Sequence, residues 1–214
     1  LADGVDEWCR AVDRARPKYA VLYEDNFNYL TKMCLTRMRD AAFEMIAFAK
    51  RHRCTVIVCG SDPTDHPRDY LEAGADFVLR GEGDATLIEL LAHLDGRGKA
   101  LADIGSLTWL DNQQHNGALG DLASTPTRAP LRNLDALPPP AWDLVDLQRY
   151  KRAWQQHHGY FSLNLVTTRG CPYHCNWCAK PLWGQRYNMH SAVHVADQIA
   201  WLQQHCAPDH FWFM

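Results

Sequence analysis

Three cysteines close together near the end of the sequence offer the clearest chemistry. Cys171, Cys175 and Cys178 follow the pattern CxxxCxxC. Thiolates are soft ligands that suit zinc or iron–sulfur clusters, and three in one short loop can wrap one face of a compact metal centre. An ordinary [4Fe-4S] cluster takes four cysteines, so three local ones leave one iron open to an external ligand. The triad therefore predicts an iron–sulfur cluster with a reactive, open iron.

The residues around the triad suit a ligand loop rather than a helix. Gly170 frees the backbone before the first cysteine, and Pro172 stiffens the turn after it. A structural zinc site is the competing interpretation, with a fourth ligand from His174, Cys206 or His210. Zinc sites usually combine two pairs of ligands, which this spacing does not provide. Zinc and a set of free thiols both stay open as alternatives.

A strand is predicted to deliver this loop. The β-rich run Ser162–Thr168 leads directly into the cysteines, a helical pattern follows at about 192–202, and Phe211–Met214 begins another strand. Strand, long loop, helix and strand are the opening of a βα barrel, of which only the first repeat is present. We expect Phe211–Phe213 to be a buried barrel strand.

The first hundred residues alternate apolar, β-branched runs with helical periodicity, which is typical of βαβ units that build a parallel sheet. The segments that fit strands are Ala20–Tyr23, Cys54–Cys59 and Asp76–Leu79. Helices are predicted at about 38–49, at 67–72 and after Asp84, which is placed to cap its helix. Gly60–Asp65 is predicted to be a loop. Because ligands of open α/β sheets bind at the carboxyl ends of strands, the loops at Gly60 and Gly81 form the candidate ligand edge.

Two changes of pattern separate these regions. Residues 106–127 read as a hairpin with a polar turn, and Pro138–Pro140 favours an extended connector. We therefore predict a Rossmann-like (flavodoxin-like) α/β domain at 1–127, a Pro-rich connector at 128–159 and the first part of a TIM-like βα barrel at 160–214. His157 and His158 are expected in a solvated linker.

Composition narrows the class of protein. The net charge of −3 and the absence of a basic stripe argue against nucleic acid as a partner. No apolar run approaches the roughly 20 residues that cross a bilayer, and no export signal is visible. These features predict a cytoplasmic protein with reduced thiols and no membrane span, and both ends of the chain look cut. Five cysteines outside the triad are expected in the core: Cys9, Cys34, Cys54, Cys59 and Cys206.

The stretch Arg169–Cys178 resembles the cluster loop of the radical S-adenosylmethionine (SAM) superfamily. The resemblance implies that SAM chelates the open iron of a [4Fe-4S] cluster held by the three cysteines. One electron from the cluster would then break a carbon–sulfur bond, releasing methionine and a 5'-deoxyadenosyl radical that abstracts hydrogen. The resemblance also implies that Trp177 lies near the adenine and that Tyr173 contacts SAM. It implies no catalytic residue beyond the cluster ligands. The second domain would then be the beginning of a radical SAM partial barrel.

Residues 180–191 resemble the segment that leads to the first barrel helix in radical SAM enzymes with an amino-terminal cobalamin-type domain. This chain has Asn188 and His190 where those relatives tend to carry basic residues, and Gln198 near an acidic position.

The amino-terminal domain resembles the cobalamin (B12)-binding-like domain of the same enzymes in three stretches, 60–64, 72–76 and 80–86. The resemblance implies that a corrinoid would be bordered by Gly60, Ser61, Gly81 and Gly83. Many such domains keep the fold without the cofactor, so both possibilities stay open. A dinucleotide site at 81–83 is disfavoured, because Thr86 replaces the third glycine of that fingerprint; a tight turn into a helix is the simpler interpretation.

The combined prediction is a radical SAM enzyme that uses a [4Fe-4S] cluster, SAM and, as a further cofactor, cobalamin. Cobalamin-dependent methyl transfer to a small-molecule substrate is the first hypothesis, and oxidative cyclase-type radical chemistry is the closest alternative. A non-catalytic zinc or iron–sulfur module is the competing class. An electron donor such as flavodoxin or ferredoxin is the expected protein partner, and the 214 residues alone are expected to be inactive.

Overall fold

The structure is a computed structural model that describes residues 4–23, 34–111, 120–173, 175, 182–183 and 186–214. The chain divides into two compact units, Leu1–Pro130 and Leu131–Met214. Each unit is described by itself.

The first unit contains a sheet of five strands in the order β1-β2-β3-β4-β5. These strands are β1 (Tyr19–Tyr23), β2 (Thr55–Cys59), β3 (Phe77–Leu79), β4 (Leu107–Asp111) and β5 (Asp121–Ser124). The first three are parallel, with Val21 beside Ile57 and Ile57 beside Phe77. The last two continue the sheet as antiparallel strands. The predicted parallel-rich α/β fold is thus confirmed.

Five helices accompany this sheet among the described residues: α1 (Val5–Ala15), α2 (Leu35–Arg51), α3 (Ser61–Asp65), α4 (Pro67–Glu72) and α5 (Asp84–Leu94). They cover both faces of β2, whose side chains alternate between two apolar clusters. Val56 and Val58 pack with Ile46 of α2 on one face. Ile57 packs with Leu90 of α5 on the other. Burial on both faces explains why the sequence of β2 is a continuous apolar run.

Two local predictions in this unit were wrong. Gly60–Asp65 was expected to be a loop, but Ser61–Asp65 forms the short helix α3. The hydroxyl of Thr64 donates to the carbonyl oxygen of Gly60 (2.6 Å), which closes this turn locally. Asp84 was expected to cap α5, but it is the first helical residue, and Gly83 holds the cap position without a side-chain hydrogen bond.

The second unit contains a βαβ arrangement. Strand β6 (Ser162–Leu165) is followed by β7 (Thr168–Arg169), β8 (Asn188–Met189), helix α7 (Ala192–Cys206) and strand β9 (His210–Phe213). Strands β6 and β9 are parallel neighbours, and β7 pairs antiparallel with β8. Helix α7 packs Leu202 against Leu163 and Phe161 in the core of this unit. A strand, a crossover helix and a parallel strand are the repeating unit of βα folds.

The helix that precedes β6, called α6, spans Leu147–His158. The prediction that His157 and His158 lie in a linker was therefore wrong, because both belong to its last turn. Asp146 caps α6 by accepting from the amide of Arg149 (3.1 Å), and Gly159 ends it with φ +77°. Both are standard end signals for a helix.

Strand β9 is less buried than expected. Trp212 and Phe213 are 63% and 56% exposed, so the prediction of a buried aromatic strand was wrong for these two side chains. Among the described residues β9 has only β6 as a sheet neighbour, which leaves part of its surface uncovered.

The cysteines outside the triad follow the prediction in part. Cys54, Cys59 and Cys206 are buried, Cys9 is half-buried, and Cys34 is exposed directly before α2. The core assignment of Cys34 was therefore wrong. In the described part of the chain, no helix has the length and apolar character needed to cross a membrane.

Candidate functional site

The cysteine-containing loop begins and ends at a pair of short strands. Thr168 of β7 lies opposite Met189 of β8, and Arg169 lies opposite Asn188. The amide of His190 donates to the carbonyl of Thr167 at 2.9 Å, which extends the pairing by one residue. The two ends of the loop are therefore held together by main-chain hydrogen bonds, independently of any metal.

Gly170 is required at the base of this loop. Its φ is +88°, a conformation that favours glycine. A Cβ atom at this position would overlap the carbonyl oxygen of Arg186 and would lie 3.6 Å from Cβ of Trp183. The residue before the first cysteine thus has no room for a side chain, because the far end of the loop passes directly beside it.

Two side chains complete the base of the loop. The guanidinium group of Arg169 lies over the ring of Trp183, 4.7 Å from its centroid, and Trp183 is buried. The side-chain nitrogen Nδ2 of Asn188 is buried and has no hydrogen-bond partner among the described residues. A buried donor without a partner is costly and is often found where a ligand binds. The sequence comparison had singled out Asn188 only as a departure from a basic position.

Two cysteines of the triad fall within the described residues. Cys171 is half-buried and Cys175 is exposed, and both are free thiols. Their donor atoms suit iron–sulfur or zinc chemistry, and a closed loop base with a buried orphan donor fits a ligand held against it. Cys178 and Trp177 lie outside the described residues. Tyr173 is 73% exposed, so its predicted SAM contact stays a prediction.

The loops after β2 and β3 come together at the carboxyl edge of the first sheet. Thr64 connects them, because its hydroxyl donates to the carbonyl of Gly60 and accepts from the amide of Gly81 at 3.1 Å. Gly60 is buried, whereas Ser61 and Gly81 are half-buried. The four predicted corrinoid contacts thus lie on the two segments that directly follow β2 and β3, and Thr64, which the sequence prediction does not single out, connects these segments.

Gly83 is accounted for by packing within the protein. A Cβ atom there would lie 2.5 Å from Sγ of Cys59 and 3.1 Å from the hydroxyl of Tyr23. Burial of its phenol end, together with Cys59 and Asp84, raises the pKa of Tyr23 well above its ordinary value. Gly83 is therefore small because two side chains from the neighbouring strand ends press against it. The space on that side of Gly83 is already filled.

An ion pair beneath the ligand edge fixes the position of α3. Asp62 is buried, and its carboxylate accepts from Nε and Nη2 of Arg39 at 2.7 and 2.6 Å. It also accepts from the hydroxyl of Tyr70 at 2.7 Å. Burial alone would raise the pKa of Asp62, but these hydrogen bonds from Arg39 and Tyr70 lower it below its ordinary value. The helix after β2 is thus tied to two other helices by a charged network.

Several curated proteins are similar in sequence to this chain. No family model matches the chain. It is 32% identical over 126 residues, 58% of its length, to "Uncharacterized methyltransferase PH0819" of Pyrococcus horikoshii. It is 28% identical over 151 residues, 70% of its length, to the anaerobic magnesium-protoporphyrin IX monomethyl ester cyclase of Synechocystis. The chain spans about a quarter of the length of these curated relatives, 25% and 28% respectively.

Solved structures share the fold over nearly the whole chain. The cobalamin-dependent SAM radical enzyme OxsB, with aqua-cobalamin and SAM bound, aligns with 99% of this chain and 27% of its own at a TM-score of 0.69 and 16% identity. The radical SAM methyltransferase TsrM from Kitasatospora setae aligns with 97% of this chain and 40% of its own at a TM-score of 0.67 and 19% identity. The chain thus has the fold that the resemblance predicts, shared with a cobalamin-dependent radical SAM enzyme and a radical SAM methyltransferase.

Two parts of this fold carry the site residues predicted from the sequence. The loop closed by β7 and β8 is where the resemblance predicts the cluster ligands. The edge formed by Gly60, Ser61 and Gly81 is where it predicts the corrinoid. Fold similarity at this level of identity shows the architecture, and function is argued from the residues.

Proposed function

We propose that this chain is part of a radical SAM enzyme in which Cys171, Cys175 and Cys178 hold a [4Fe-4S] cluster that cleaves SAM reductively. The observation that carries the proposal is the cysteine loop itself, which follows a strand and is closed at its base by β7, β8 and Gly170. The relatives named as methyltransferases and the cofactors named for OxsB support it.

The protein's residues would position the cofactor and shield it. The pairing of β7 with β8 brings the loop ends together before any metal binds. Gly170 permits the close approach of Arg186, and the buried ring of Trp183 under Arg169 would shield the base from water. Asn188 offers a buried Nδ2 donor at the same base, which suits an acceptor such as a carboxylate. When bound, the cluster supplies the one electron that converts SAM to methionine and a 5'-deoxyadenosyl radical.

Cobalamin would be the second cofactor, at the edge formed by Gly60, Ser61 and Gly81. Ser61 and Gly81 are the half-buried members of that edge, so they are the positions that a ligand arriving from solvent can touch. The corrinoid would supply a methyl-group carrier, and methyl transfer to a small-molecule substrate is the reaction class proposed for the whole protein. The methyltransferases among the relatives favour this reaction.

Oxidative cyclase-type chemistry is a second candidate, favoured by the match to the anaerobic cyclase over 70% of this chain. Both candidates begin with the same reductive cleavage of SAM and differ in the fate of the substrate radical. We also propose a cytoplasmic location and an electron donor of the flavodoxin or ferredoxin class, because reduced thiols and a low-potential electron are needed for this chemistry.

The test is anaerobic reconstitution of the whole protein with iron and sulfide, followed by a reductant and SAM. We expect about four irons per chain and formation of 5'-deoxyadenosine. Replacing Cys171, Cys175 or Cys178 by alanine should abolish the product. Cys34→Ala is the matched control, because Cys34 is an exposed thiol outside the loop, and it should retain activity.

Two results would contradict the proposal. One is zinc at one equivalent without sulfide in oxygen-protected protein, which would favour a structural zinc module. The other is unchanged cleavage of SAM when all three cysteines are alanine. Adding hydroxocobalamin and following the absorbance of the protein-bound corrinoid tests the second cofactor separately.

A further inference from the structure

A second group of metal-ligating side chains lies just beyond the cysteine loop. Asp135, His190 and His194 each offer one ligand atom, and these atoms all lie within 4.8 Å of one another. Nδ1 of His190 is 3.0 Å from Oδ1 of Asp135, and Nδ1 of His194 is 3.8 Å from the same oxygen. None of the three belongs to the cysteine triad or to the ligand edge of the first unit.

Backbone contacts fix the positions of all three residues. Asp135 lies in a 3-10 turn, Leu134–Ala136, which Leu134 anchors with 1% exposure. The amide of Ser191 donates to Oδ1 of Asp135 at 3.0 Å, between the two histidines in sequence. The hydroxyl of Ser191 then caps α7 by accepting from the amide of His194 at 3.1 Å. The group of Asp135, His190 and His194 is thus built on the end of a strand, the start of a helix and an anchored turn.

The donor set suits a transition-metal ion. Two imidazole nitrogens and one carboxylate oxygen are ligands that zinc accepts at about 2.0–2.1 Å, in sites that keep one position for water. Two ligands of a tetrahedral ion at that bond length are about 3.3–3.4 Å apart. The distances from Oδ1 of Asp135 to the two histidine nitrogens, 3.0 and 3.8 Å, lie on either side of this value, so each nitrogen is spaced from the carboxylate oxygen much as two ligands of one ion would be.

The two histidine rings lie face to face. The rings of His190 and His194 stack in parallel, 4.4 Å between centroids and 7° between planes. Because a lone pair lies in the plane of its ring, one of the two rings must turn before both lone pairs meet the same ion.

Gln198 contacts the ring nitrogen of His194 that faces away from Asp135, as the outer hydrogen-bond partner of a metal-binding histidine does. Its Nε2 lies 2.6 Å from Nε2 of His194. The oxygen and nitrogen of a carboxamide exchange places by a half-turn of the group. After that turn the amide oxygen accepts from Nε2–H of His194, which leaves the Nδ1 lone pair available for a ligand bond. An outer partner that fixes the tautomer is a regular part of histidine metal sites.

We propose that Asp135, His190 and His194 form a second metal site, specific for a divalent first-row transition ion such as zinc. The site links the turn at Leu134–Ala136 to the start of α7, directly after the strand that closes the cysteine loop. The side chains are 32%, 11% and 21% exposed, respectively, so an ion can enter from solvent. The proposal does not depend on the cluster or on SAM cleavage.

The test is a titration with Co²⁺ in a variant that carries serine at Cys171, Cys175 and Cys178, which removes the thiolate ligands. We expect one equivalent of bound Co²⁺, with visible d–d absorption of nitrogen and oxygen ligands and without a sulfur-to-cobalt charge-transfer band. One equivalent of Zn²⁺ should displace it. Asp135→Asn and His194→Gln, each in the same background, should weaken Co²⁺ binding at least tenfold.

His157→Gln is the matched control, because His157 lies in the last turn of α6 and outside the group, and it should bind Co²⁺ as the background does. Circular dichroism confirms that each variant is folded. The proposal is overturned if the folded background binds no Co²⁺, or if Asp135→Asn and His194→Gln both bind it with unchanged affinity. Co²⁺ binding is measured without an iron–sulfur cluster and without enzyme activity. A negative result therefore says nothing against the proposed SAM cleavage.

Discussion

Replacing Gly170 by alanine should open the base of the cysteine loop. The φ of +88° costs an L-residue about 1–2 kcal/mol. The added Cβ overlaps the carbonyl oxygen of Arg186, and contacts closer than about 3 Å do not occur, so that carbonyl must move by roughly an ångström. Such a shift weakens the short β7–β8 pairing, at about 1 kcal/mol for each hydrogen bond lost. We expect a total of about 2–4 kcal/mol.

The matched control is Gly159→Ala. Gly159 has a similar φ of +77°, but nothing lies within 4 Å of where its Cβ would be. It should therefore lose only the conformational part, about 1–2 kcal/mol. The difference between the two variants isolates the contact with Arg186.

Hydrogen exchange of the His190 amide measures the effect directly, because that amide donates to Thr167 across the loop base. We expect it to exchange at least tenfold faster in Gly170→Ala than in the parent, and at an unchanged rate in Gly159→Ala. Reconstituted Gly170→Ala should also hold fewer than half the irons of the control. Equal protection and equal iron content in the two variants would refute the reasoning, because the loop base would then not control ligand geometry.

Two further predictions concern the first unit. Asp62→Asn should lower the free energy of unfolding by about 3–5 kcal/mol in urea titrations, because it removes the buried charge that pairs with Arg39 and leaves only the 3.4 Å contact with Asp69, whereas the more exposed Asp69→Asn should change it little. The pKa of Asp62 is lowered in the folded protein, so its charge stabilises the fold above the pKa that Asp62 has in the unfolded chain. This stability is lost as the pH falls through the lower pKa of the folded state. An equally steep loss of stability with falling pH in Asp62→Asn and Asp69→Asn would contradict this. Ile46→Ala, at 0% exposure, should cost about 2–5 kcal/mol, and Ile88→Ala, at 70% exposure, should be near neutral in thermal unfolding.

The sequence was most informative where periodicity and burial agree. Strand β2 was predictable because a fully apolar run bounded by turn signals is what a strand covered on both faces requires. Helix α6 was missed although its sequence carries a cap residue, Asp146, and a terminating glycine, Gly159. Its polar composition, with no fully buried residue, hid the helical spacing of Leu147, Tyr150 and Trp154. End signals would have found this helix when hydrophobicity did not.

The sequence is enough to propose the ligands of the candidate site but not to predict the contacts that support them. Spacing and residue type single out the three cysteines, because chelation needs several donors in one short segment. The contact between Gly170 and Arg186 depends on how the chain returns after the loop, which no local pattern encodes. The packing of Gly83 against Cys59 and Tyr23 joins three segments far apart in sequence. The predicted ligand contact of Gly83 stays a prediction, and the structure gives this glycine an internal packing role as well.

Main-chain contacts at the base of the cysteine loop reduce the entropy that metal binding would have to overcome. Bringing distant ends of a loop together reduces chain entropy, and this cost falls on whichever contacts close the loop. Here the β7–β8 pair, the amide of His190 and the approach of Arg186 to Gly170 close it through the backbone. A closed base would therefore let cysteines that differ in exposure, as Cys171 and Cys175 do, converge on the proposed cluster without first closing the loop.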